Sequence, residues 1–379
     1  MSKRAVAGAL LVLLVAVGIV LYKLTRPRAS EPGSEEATSV NPPSGQSAAG
    51  ATPPQSAGND AGLGSGPSSR SPEQQALEAY KQWARYPPLS RPAAEQADQW
   101  VPHPFVSTVL PLDPDRPNKA RLRKSQDRLF ILPGEGAVAT VEGLAPSAAG
   151  PLVVEKAELA RFEGSPQALS APIANVQFRD DGVPPDAVSN DGILSAAVIP
   201  PFKGQTGIAG DLRLSVTVRL NGDHGETSFS FVGTGEPPGR FSGTARDALE
   251  DGSLALYVGV ELRQPGRYLV VGRLYDAAGR PVALLHYNDI VDTSLREVRL
   301  LAFGKLLRDS GGSSPFVLRD VQGQRMTEGG PTDRQLLAMW PGPYKTAAYR
   351  NDAFSDLEWD SPSKRRRLVA LEQVANGHP

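Results

Sequence analysis

The sequence predicts a mainly β protein: tandem β-sandwiches, preceded by one transmembrane helix and a disordered linker, with short flanking helices. Three observations predict it. Apolar residues alternate with a period of two in many short runs after about residue 116. Glycine (38) and proline (35) are abundant and fall between those runs, which favours turns over long helices. An uncharged apolar segment, Ala5 to Tyr22, stands before a stretch that contains almost no large apolar residue.

The chain divides into 1–28 (N-terminal membrane anchor), 29–70 (linker), 71–115 (helix and Pro-rich segment), 116–235 and 240–330 (two sandwiches), and 331–379 (irregular aromatic-rich segment and C-terminal helix). Ala5–Tyr22 is 18 residues without a charge. As a helix it would be roughly 27 Å long, close to the thickness of a bilayer core. Tyr22 and Lys23 suit the interface. A cleaved signal peptide is the competing reading. Against it, the apolar run exceeds an ordinary signal-peptide core, and Lys23, Arg26 and Arg28 follow where small residues would mark a cleavage site. Flanking positive charge is nearly balanced, with Lys3 and Arg4 before the helix. The tail of four residues favours an N-terminus inside and the bulk outside. Localisation is therefore expected at an inner membrane, single-pass, with the folded part in the periplasm or at the cell surface.

Residues 29–70 hold no aromatic, and Val40 and Leu63 are the only larger aliphatics. Such a stretch buries too little apolar surface to offset ordering entropy. It is expected to be a coil spanning on the order of 35 Å. Order begins at Ser71, an N-cap followed by Pro72 and by Gln74 at the capping-box position, which predicts a helix over 72 to about 85. The Pro-rich run to about 115 should lie extended across a domain surface.

In the first sandwich the clearest strand is Leu212 to Leu220. Leu212, Leu214, Val216, Val218 and Leu220 share one face, and Asn221-Gly222-Asp223 turns the chain into a partner strand, Thr227 to Val232. Other strands are expected at 128–132, 137–143, 152–162, 174–179 and 193–199. Gly233–Gly239 reads as a boundary. The second sandwich should use Leu254–Leu262, Tyr268–Tyr275, Val282–Tyr287, Val298–Phe303 and Phe316–Asp320. Ser361 and Pro362 open a last helix.

Three stretches carry a resemblance. FRDDGVPPDAVSNDGI (178–193) resembles the Asp-rich signature of bacterial immunoglobulin-like surface modules. YPPLSRP (86–92) and GRYLVVGRLYDAAGR (266–280), with FGKLLRD (303–309), are similar to envelope proteins of the choice-of-anchor X type. The resemblance spans roughly 75–360. It implies tandem immunoglobulin-like domains in a bacterial envelope, and no activity. Pro185 stands where the signature has Gly, and Leu194 where it has an aromatic residue.

Chemistry is sparse. The net charge is −1, which gives no global electrostatic case for nucleic acid, and the chain has no cysteine. Cysteine nucleophiles, disulfides, thiolate metal sites and lipoprotein anchoring are thereby excluded. No catalytic residue is assigned. The densest oxygen cluster is Asp180, Asp181, Asp186, Asn190 and Asp191, a candidate calcium site whose alternative is a tight turn with carboxylates capping backbone N–H groups. His103, His224, His286 and His378 are isolated in sequence. Lys364–Arg367 is a basic run, read as a solvated helix face. Trp340, Tyr344, Tyr349, Phe354 and Trp359 are either a sugar-stacking surface or rings packing irregular chain onto a sheet.

The expected function is a membrane-anchored, non-enzymatic binding or scaffolding protein of the envelope, with a protein or cell-wall polysaccharide as partner. Alternatives are a carbohydrate-binding module and a calcium-dependent hydrolase.

Overall fold

The computed structural model describes residues 71–116, 120–144, 151–163, 169–200, 208–330 and 332–377. The segment Ala5–Tyr22, the linker 29–70 and His378 lie outside the described residues. Among the described residues no helix is long and apolar enough to cross a membrane. In chain order the elements are α1 (Pro72–Trp83), β1 (Ser90–Pro92), β2 (Val106–Pro111), β3 (Arg121–Gln126), β4 (Phe130–Ile131), β5 (Ala137–Leu144), β6 (Val153–Arg161), β7 (Ala174–Asn175) and β8 (Ile193–Val198). There follow β9 (Ala209–Leu220), β10 (Asp223–Thr234), β11 (Gly239–Glu250), β12 (Ser253–Leu262), β13 (Gly266–Tyr275), β14 (Pro281–Val291), β15 (Glu297–Ala302) and α2 (Gly304–Asp309). The chain closes with β16 (Val317–Met326), β17 (Arg334–Trp340), β18 (Tyr344–Lys345) and α3 (Pro362–Ala375).

The protein is mainly β. Sheets β4-β10-β9-β6-β7 and β2-β3-β5-β8 share one hydrophobic core. Sheets β1-β14-β13-β16-β17, with β18 on β16, and β11-β12-β15 share a second. The alternation in β9 is what builds the first core: Leu212, Leu214, Val216, Val218 and Leu220 are each 1% exposed or less. Asn221 and Gly222 take positive φ (54° and 83°), so Leu220 and Asp223 pair directly. The return strand therefore starts at Asp223, not at Thr227. The turn is so tight that the ladder begins at once.

Several elements depart from expectation. β2, β3 and β11 were not foreseen. β2 follows a Pro-rich run, and its side chains are mostly exposed, so no amphipathic alternation marks it. β11 carries a register shift between Phe241 and Ala245 that breaks the period of two. The irregular segment after residue 331 contains β17 and β18. The strand expected at 174–179 shrinks to Ala174–Asn175.

Both helix starts hold. Ser71 Oγ accepts from Gln74 N, and Gln74 Oε1 accepts from Ser71 N. Ser361 Oγ accepts from Lys364 N at 3.0 Å. The two helices meet: Lys81 lies 3.4 Å from Glu372, and the Arg367 guanidinium stacks on Tyr80. The described residues thus begin and end beside the second core, and residues from β2 to β10 build the first.

The Pro-rich run does cross a surface. β1 pairs antiparallel with β14, and two 3-10 turns (Ala93–Glu95 and Ala97–Gln99) carry the chain over β13. Arg273 of β13 holds it there. Its guanidinium donates to the carbonyls of Gln99, Trp100 and Asp320 and to Gln322 Oε1. Trp100 meets the Tyr275 ring edge-on at 5.1 Å between centroids. Between the two cores, Arg334 stacks on Phe130, and Glu236 takes an ion pair from Arg263 at 2.9 Å.

Candidate functional site

The aspartate loop sits between Phe178 and β8. Its base is closed by a backbone bridge: Arg179 N donates to Ser195 O at 2.9 Å, and Ser195 N to Arg179 O at 2.8 Å. Three residues with positive φ fold the loop back on itself: Gly182 (72°), Asn190 (58°) and Gly192 (85°). Asp180 accepts from Asp191 N at 3.1 Å and Gly192 N at 3.0 Å. Asp186 is 4% exposed and accepts from Gly182 N at 2.6 Å. The Ser195 hydroxyl donates to its other oxygen at 3.4 Å. Asp191 caps Ile193 N at 2.9 Å.

Of the five residues singled out in sequence, the structure converges three. Asp180, Asp186 and Asp191 each place a carboxylate oxygen within 4.8 Å of the others. Asp181 accepts from Val183 N at 3.0 Å and lies 3.9 Å from Arg179 Nη1, and it is not part of the group. Asn190 contributes the left-handed turn, with its N–H on Asp180 O at 3.3 Å. Two oxygens on opposite sides of a calcium ion are separated by roughly 4.6–5.2 Å, so the spacing suits a hard cation. Each carboxylate also keeps lone pairs beyond its backbone bonds. The same bonds make each aspartate a turn-capping residue, so both sequence readings find support in the geometry.

The other candidates are drawn into structure. His286 is largely buried beside Arg273 and Arg91. Burial first, then those two cations, pulls its imidazole down to about 4. Burial, then Arg128, also lowers His103. His224 Nδ1 lies 3.0 Å from Glu155, which Arg219 also engages at 2.8 Å. In the basic run, Lys364 is buried with its ammonium on Trp359 O at 2.6 Å, and Arg365 pairs with Asp360 at 3.0 Å.

Four of the five C-terminal aromatic residues pack rather than project. Phe354 is in the second core, and Trp340, Tyr344 and Tyr349 lie against it. The hydroxyls of Tyr344 and Tyr349 both donate to Asp247. Burial and then that carboxylate push both phenols up to about 12. One feature that sequence reasoning missed is a cleft of about 430 Å³ between α1 and α3, lined by Lys81, Gln82, Arg85, Glu358, Lys364 and Leu368. Its residues come from both ends of the described chain, so no local signal marks it.

No protein-family model matches the chain, and no curated protein matches it. Among solved structures it is similar to a DUF4785 family protein from Legionella pneumophila subsp. pneumophila str. Philadelphia 1. That likeness has 10% sequence identity and a TM-score of 0.38, and covers 60% of this chain. The matched region spans 57% of the Legionella protein, a little over half its length.

Proposed function

We propose that this chain is a membrane-tethered, extracytoplasmic protein of a bacterial envelope, whose immunoglobulin-like sandwiches bind or scaffold other envelope components without catalysing a reaction. The observation that carries this reading is the order of segments. An uncharged apolar run of membrane-spanning length is followed by a linker without aromatic residues, and then by two pairs of β-sheets, each with its own core. The occupied aromatic rings of the C-terminal segment favour a protein partner over stacked sugar.

The test is fractionation of cells expressing the full chain with a C-terminal tag. The expected result is a membrane fraction resistant to alkaline extraction, with the tag digested by protease added to spheroplasts. Recovery of the chain in the soluble fraction, or a tag protected until the membrane is lysed, would overturn the reading.

A second reading adds calcium at Asp180, Asp186 and Asp191, motivated by their convergence. A ligand at a hundredfold excess over its Kd stabilises by about 2.7 kcal/mol. Millimolar calcium is therefore expected to raise the melting temperature of the full chain by several degrees, and chelator to reverse it. Asp180→Asn should abolish the shift and Asp181→Asn should retain it. An unchanged melting temperature leaves the aspartates as turn caps.

A further inference from the structure

The segment from Leu89 to His103 lies over a sheet face that carries two buried cations. Arg91 of β1 and Arg273 of β13 stand directly opposite Leu284 of β14, one on either side, so all three share a face. Arg91 is 4% exposed, Arg273 3% and Leu284 0%. Ala283 and Leu285 point the other way, into the second core. His286 follows Leu284 by two residues, which puts it on the covered face, diagonal to both arginines. Its own N–H donates to Leu89 O at 2.8 Å, where the segment begins.

The segment is held mainly through these arginines. β1 is three residues long, and Pro92 brings no N–H to its ladder. Arg91 donates to the carbonyls of Trp83 and Tyr86 and to Glu95, and its guanidinium stacks on Trp83. Arg91 Nε is buried without a partner. Arg273 reaches the carbonyls of Gln99 and Trp100 from the sheet. The charged groups that face the His286 ring are therefore Arg91 from β1 and Arg273 from β13, and the nearby Glu95 is already bound to Arg91. Burial, then Arg273 and Arg91, pull the imidazole down to about 4. With the segment lifted, the ring would regain water and an ordinary pKa of about 6.5. The lifted form then binds the proton more readily, so closure is fully favoured above about pH 6.5 and weakens as pH falls from there towards 4.

We propose that residues 89–103 form an acid-released strap: neutral His286 lets the strap close over β13 and β14, and protonation of His286 frees it and uncovers the β14 edge. A third positive charge beside Arg91 and Arg273 is the lever. The short ladder between β1 and β14 lets it act locally, without unfolding the sheet beneath. His103, at the far end of the strap, is a second titratable group. It faces Arg128 and Arg273 but also Asp127 and Asp320, two cations matched by two carboxylates, so it does not drive the release. The inference stands apart from the membrane reading, since it rests on the fold of the second sandwich alone.

The chain has no cysteine, so one substitution introduces a unique thiol. Ala93→Cys in the full chain places it within the strap, at a position 7% exposed. Its rate of reaction with dithiodipyridine, which attacks thiols at acid pH, is divided by that of Ser294→Cys, an exposed control. The ratio is expected to rise about tenfold or more from pH 7 to pH 5, a window in which ordinary carboxylates stay largely ionised. Adding His286→Gln, or His286→Leu if the first variant folds poorly, should remove the rise, and adding His103→Gln should leave it. Ala302→Cys, 0% exposed in the second core, should stay unreactive at both pH values. A ratio that does not change with pH would overturn the proposal. So would a rise that survives both His286 replacements, or an equal rise at Ala302→Cys, which would mean general unfolding.

Discussion

Replacing Arg273 with methionine is expected to destabilise the protein by about 3 kcal/mol and to free the segment that crosses β13. Arg273 is 3% exposed, and its partners are three backbone carbonyls and one side-chain amide. Methionine keeps much of the volume but leaves the carbonyls of Gln99, Trp100 and Asp320 without these donors. An acceptor left unpaired away from water costs about 1–3 kcal/mol, and less where water replaces the donor, as at the exposed Gln99. Relief of the guanidinium's own desolvation offsets part of that loss. Burial already pulls the Arg273 pKa below its ordinary range, although it stays charged at neutral pH. Urea denaturation gives the free energy, and limited proteolysis reports the crossing segment. A loss under about 1 kcal/mol, with residues 93–105 still protected, would mean that Trp100 packing suffices to hold it.

Gly304→Ala is expected to cost upwards of about 3 kcal/mol, because the new methyl has nowhere to go. A Cβ at this position would lie 2.0 Å from Gly252 O and 2.8 Å from Ser355 N. Those two atoms form a backbone hydrogen bond of 2.8 Å that ties the β11–β12 turn to the C-terminal segment. Both are main-chain atoms, so relief requires moving one of two packed segments. Gly304 N also takes its partner, Ser253 Oγ, at 3.0 Å. Gly279→Ala is the control. Its φ is +78° with nothing within 4 Å of a Cβ, so its cost is conformational alone, about 1 kcal/mol. Melting temperatures of the two variants separate the cases. Equal shifts would show that the C-terminal segment yields easily.

Much of the fold was legible because short-range rules wrote it. Leu212 to Leu220 alternate, and the inward set is buried. Asn221-Gly222 permits positive φ, and a hairpin forms there. Ser71 and Ser361 begin helices for the reason their side chains suggest, the capping of free N–H groups. The strands that escaped notice are those whose pattern is not amphipathic. β2 is exposed on both faces, and β11 is interrupted by a bulge. The candidate site was half legible. Five oxygen-bearing side chains are close in sequence, but Asp181 turns to Arg179 while Asp180, Asp186 and Asp191 converge. Which of them converge depends on positive φ at Gly182, Asn190 and Gly192 together with the Arg179–Ser195 bridge, and the bridge joins residues on either side of the loop.

By itself the sequence determined the mainly β class, the turn positions, the helix caps and the absence of thiol chemistry. These follow from side-chain type and spacing over a few residues. Only the tertiary structure decided that Arg273 clamps a segment from the far end of the described chain, that α1 and α3 meet, and that β2 lies at the end of its sheet. Burial, edge position and long-range contact are properties of neighbours brought from distant sequence, and no local pattern encodes them.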